Sequence, residues 1–92
     1  MTMKDITDGL KTLLLDNHYN PVTIQFYERE WKKIQAFLLA EYGDEEFDME
    51  RGLAYLEKQY GFQTRYNDGT LSQQRVQLLR VVHMLEDYRL HQ

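Results

Sequence analysis

Cysteine is absent from this 92-residue chain, which excludes a disulfide framework and a thiolate zinc site. Serine occurs once, as Ser72, and no nucleophilic triad can be assembled around it. Only Gly43, Gly61 and Gly69 fall between helical patterns, so a phosphate-cradling glycine loop is missing too. No apolar run is long enough to span a bilayer, and no segment has the apolar core and cleavage site of a secretory signal. Without targeting signals, a cytoplasmic location is expected, with no membrane partner. The histidines, His18, His83 and His91, are scattered. His83 and Asp87 stand four apart, but two ligands do not make a metal site. The acidic run Asp44 to Asp48 lacks the alternating donors and central glycine of a calcium loop. No pair of carboxylates is placed across a cleft for acid–base work. Neither metal nor cofactor is expected, and no catalytic residue is proposed.

What the chain does have is helical periodicity and many aromatic residues, 13% of the total. A domain of this size buries only about 60–65% of its unfolded surface, so large rings compensate for a small core. The stretch Asn20 to Tyr42 organises the rest. Asn20 suits a helix N-cap, and the chain's one proline, Pro21, suits the first helical position. Ile24, Tyr27, Trp31, Ile34 and Leu38 recur at three- and four-residue steps on one face, widened by Phe26 and Phe37. Gln25, Arg29, Lys32 and Lys33 occupy the other face, which is therefore mostly basic. Glu28 with Lys32, and Glu30 with Lys33, have spacings that allow pairs along the helix.

Three more helices are expected, giving an all-α, four-helix bundle in one domain, residues 1–92. The first runs from Met1 to Tyr19, with Asp5 as cap, Gly9 as a weak point and Ile6, Leu10, Leu13 and Leu14 as its stripe. Gly43 stops the second helix and Asp48 caps the third. The third covers Met49 to Tyr60, with Met49, Leu53, Leu56 and Tyr60 inward, and ends at Gly61, with Phe62 folding back on its last turn. Asn67-Asp68-Gly69 is a turn signal, and Thr70 with Gln73 resembles a capping box. The last helix covers Leu71 to about Leu90. Its inner face is Leu71, Leu78, Leu79, Val82 and Leu85, with Val81 and Tyr88 at the margin. Gln73, Gln77 and Arg80 lie outside, with Arg75 near the edge. It reaches the end of the chain without a stop signal, as expected of a piece of something longer. The tyrosines read as core-edge residues with hydroxyls in solvent, Tyr27 excepted.

Residues Asn20, Pro21, Thr23, Ile24, Tyr27, Trp31, Ile34 and Phe37 resemble the second-helix pattern of the N-terminal core-binding domain of tyrosine recombinases, the phage integrase family. Ser72, Gln73, Gln74, Arg75, Leu79 and Arg80 are similar to that family's final core-binding helix. The resemblance implies a SAM-like four-helix domain that clamps double-stranded DNA for integration and recombination. It implies DNA contacts by Thr23, Arg29, Lys32 and Lys33 on the second helix. On the last helix it implies contacts by Ser72, Gln73, Gln74, Arg75, Gln77 and Arg80, with Tyr27 and Trp31 in the core. It also implies a C-terminal catalytic domain, absent from these residues, and other recombinase protomers as partners. The fragment itself would then be no enzyme. One feature departs from the family: its domains are usually basic, whereas this chain has a formal net charge of −4. Net acidity fits the rival expectation, a helical protein–protein interaction module that does not touch DNA.

Overall fold

Helix α1 begins where a threonine hydroxyl closes its first turn: Thr2 accepts the backbone N–H of Asp5 at 3.2 Å. The computed structural model describes residues 1–61 and 73–91, with side chains for 1–61 and 77–91. The expected Phe62 contact, the Asn67–Gly69 turn, Thr70, Leu71 and Ser72 lie outside the described residues, as do the side chains of Gln73, Gln74 and Arg75. Among the described residues there are four helices: α1 (Met3–Asp16), α2 (Pro21–Tyr42), α3 (Met49–Tyr60) and α4 (Gln73–Leu90). The protein is an all-α bundle. No helix among the described residues is long and apolar enough to cross a membrane.

Thr2, not Asp5, is thus the first cap, because starting one turn earlier brings Met3 into the core, where it is fully buried. The α1 stripe is Met3, Ile6, Leu10 and Leu14. Leu13 falls outside this arc and is 48% exposed. The second cap is as expected: the Asn20 side chain accepts the Val22 N–H at 2.8 Å, with Pro21 at the helix start. Gly43 and Gly61 end α2 and α3 with φ of 75° and 58°, left-handed values at which a side chain would be strained.

Helix α2 runs through the middle and contacts all three others. It buries Ile24, Trp31, Ile34, Phe37 and Leu38. Around them lie Tyr55 and Leu56 from α3, Leu78, Val81, Val82 and Leu85 from α4, and Phe47 from the α2–α3 connection. Each such side chain contributes roughly 1.5–3 kcal/mol by leaving water.

Two inner faces are rotated from the expected ones. In α3, Leu53 is exposed while Gly52 and Tyr55 are buried. Close approach to Val82 and Phe47 at Gly52 turns that side of α3 inward. In α4, Val81 is fully buried, not marginal.

The acidic connection between α2 and α3 is held by Arg51. Arg51 donates from Nη1 to Asp44 at 2.6 Å and to the Glu46 carbonyl at 2.9 Å, and its guanidinium covers the Tyr42 ring at 4.1 Å. That bond holds the Asp44 carboxyl below its ordinary pKa.

Glu30 sits on the inner side of α2, 6% exposed. Its carboxylate lies 3.4 Å from each of the Tyr55 and Tyr60 hydroxyls and 3.3 Å from the Lys33 ammonium. The Tyr55 hydroxyl is therefore inside the protein, not in solvent.

Candidate nucleic-acid interface

The start of α2 crosses close to the first described side chains of α4. Thr23 sits in the first turn of α2, where backbone N–H groups lack helical partners and the helix dipole is positive. Here it shares a surface depression of about 330 Å³ with Gln77 and Arg80. Val22, Phe26 and Tyr27 complete the walls, and among the described residues no carboxylate lines it. Tyr27 is half-buried rather than core. Burial pushes its phenol above the ordinary pKa, reinforced by Tyr19 and opposed by Arg80. This depression can offer an anion one guanidinium, one hydroxyl and one amide beside two aromatic rings.

The other α2 candidates lie apart from it. Thr23 and Arg29 are six residues apart, hence about 120° and about 9 Å apart on the helix. Arg29 is exposed. Lys32 borders a groove between α1 and α2 that also carries Lys4 and Lys11. Lys33 turns the other way, toward Glu30. The carboxylate raises the Lys33 pKa, with Tyr60 adding to the effect. Lys33 is accordingly paired with Glu30, although its own side chain stays 58% exposed.

Ion pairing sorts the cations further. Lys58 pairs with Glu41, Arg51 with Asp44 and Arg89 with Glu86. Lys11 pairs with Glu28 at 3.2 Å. Glu28 thus reaches across to α1 instead of along its own helix to Lys32. Among the described residues, Lys4, Arg29, Lys32 and Arg80 have no carboxylate within ion-pair distance. Lys4 and Lys11 were not among the candidates read from the sequence. Their signal is a seven-residue spacing, which places both on one side of α1.

No group of three or more histidine or acidic side chains suited to a metal occurs among the described residues. Comparison with protein-family models, curated proteins and solved structures found no match.

Proposed function

We propose that this chain is a DNA-contacting domain that holds duplex DNA against α2 and α4, as the core-binding domain of a tyrosine recombinase does. The observation that supports the reading best is the distribution of free cations. Arg29 and Lys32 on α2 and Arg80 on α4 are unpaired, whereas the α3 cations Arg51 and Lys58 are neutralised by carboxylates. Net acidity sets the far field, but the contact surface responds to the local charges. Thr23 and Gln77 flank Arg80 in a depression without carboxylates among the described residues, where a phosphate can meet the start of α2. In this reading the domain positions DNA through backbone contacts and leaves strand cleavage to a catalytic domain.

Titration with duplex oligonucleotides tests it. Three phosphate contacts predict a slope of log affinity against log salt of about −3. Amide shifts should gather at the start of α2 and along the Gln77–Arg80 turn. Unmoved amides in dilute buffer would end the proposal. A specific observation favours the rival interaction module: an apolar groove between α1 and α4 with Leu13 nearly half exposed.

A further inference from the structure

The largest depression described on the surface lies between α1 and α4, about 590 Å³ in volume. Leu10 and Leu13 form one wall, Met84 and Tyr88 the other, and Arg80, His83, Asp87 and His91 follow the α4 rim. The volume falls within the range of small-molecule sites, roughly 300–1,000 Å³. From Arg80 to His91 the rim is twelve residues, about 16 Å along the helix axis.

The charges along that rim are ordered. Among the described residues Arg80 has no carboxylate partner, and His83 follows it one turn later. The one acid, Asp87, comes seven residues after Arg80, toward the other end. Leu10 and Leu13, the described groove residues from α1, are both uncharged. Leu13 is 48% exposed. An apolar body covering Leu13 and Met84 would remove that surface from water, Leu10 being already buried. Arg80 would take a negative head group, and Asp87 would repel the reverse orientation.

We propose that this groove binds a free amphiphilic carboxylate, its head on Arg80 beside His83 and its tail along Leu13, Leu10 and Met84. This inference does not rest on the DNA-contacting reading, although both use Arg80; Leu13 lines this groove and not the Thr23 depression, so its variant tests the groove alone.

The test uses dodecanoate below its micelle-forming concentration, followed by calorimetry and amide shifts on the whole chain. Saturable one-to-one binding is expected, with shifts at Leu10, Leu13, Arg80 and Met84. Dodecyltrimethylammonium, with the same tail and a cationic head, should bind at least about tenfold more weakly, the size of one charge-assisted hydrogen bond. Leu13→Glu should weaken dodecanoate by a similar factor. Arg80→Glu supplies the same loss from the head-group side should Leu13→Glu fail to fold. Equal affinity for the two amphiphiles, unchanged binding by the variants, or absence of saturable binding each overturns the proposal. Binding to phosphatidylglycerol vesicles but not to dodecanoate would overturn it too, and would assign the groove to a lipid surface.

Discussion

A Cβ added to Gly52 would lie 2.6 Å from Val82 Cγ1, closer than nonbonded carbon atoms approach. Phe47 Cζ would be 3.1 Å away on the other side. Both neighbours are buried, so neither can swing into solvent. Helix α3 packs on α4 and on the α2–α3 connection through this bare backbone. Gly52→Ala gains about 1 kcal/mol of helix propensity but meets an overpacking cost of roughly 1–3 kcal/mol at its upper end. Net destabilisation of about 1–2 kcal/mol is expected in urea denaturation. Gly9 has a similar clash with Tyr88, at 1.8 Å from its hydroxyl. Tyr88 is only half-buried and can turn outward, so Gly9→Ala should stay within about 0.5 kcal/mol as propensity and lost packing offset. The reverse order of the two variants would contradict the assigned α3–α4 packing.

Tyr55 gives the protein an alkaline limit. Burial raises its pKa strongly, and hydrogen bonding and charge repulsion within the Tyr60–Glu30 cluster push the same way. A phenol whose folded pKa exceeds the unfolded value of about 10 stabilises the fold fully below that pH. The contribution is lost as pH rises above about 10, where the unfolded chain releases a proton that the native state retains. Stability should therefore decline above about pH 10, and Tyr55→Phe should flatten the decline while removing one hydrogen bond to Glu30. A wild-type alkaline limb as flat as that of the variant would show that Tyr55 is not held inside.

The Trp31 indole isolates packing from hydrogen bonding. Its ring is 4% exposed and stacks on Tyr27 at a centroid distance of 6.3 Å. Its Nε1 has no acceptor. Trp31→Ala should cost about 3–5 kcal/mol, as for other buried aromatics. Trp31→Phe retains a ring and breaks no hydrogen bond, so it should cost clearly less. Equal losses in chemical denaturation would mean that ring packing is not what Trp31 contributes.

The caps of α2 and α3 were legible because each is a bond between neighbours in sequence, whereas the equally local Thr2 cap of α1 was displaced to Asp5. Asn20 reaches Val22, and Asp48 reaches Arg51. Asp48 and Gly61 fix the bounds of α3 as expected from the sequence. Periodicity marks an apolar arc but not where the neighbouring helix lies across it. Leu13 and Leu53 therefore looked inward, and Tyr55 did not. Glu30 read as a surface partner for Lys33, and that pair does form. Its burial depends on Tyr55 and Tyr60, 25 and 30 residues further on, which no local pattern announces. The meeting of Thr23 with Gln77 and Arg80 likewise depends on how α2 crosses α4. Only the family resemblance put these three on one surface. Lys4 and Lys11 became visible once α1 was seated beside Lys32.

The same geometry separates two lysine-and-arginine reversals that the sequence treats as equivalent. Arg29 and Lys33 both occupy the basic side of α2, but only Arg29 is free. Arg29→Glu should leave stability within about 0.5 kcal/mol, as for an exposed residue away from any structural contact. Lys33→Glu sets a second carboxylate against the buried Glu30, which sits among Tyr55 and Tyr60. A buried acid that loses its cation and gains a like charge becomes harder to keep ionised. A destabilisation of about 1–3 kcal/mol is expected. Duplex binding divides the pair in the opposite sense. Arg29→Glu should weaken it and lower the salt slope by about one, whereas mild loss through Lys33 should track unfolding. Thermal melts and duplex titrations on both variants decide this. A stable Lys33→Glu protein with abolished duplex binding would make Lys33 a DNA contact and remove it from the Glu30 cluster.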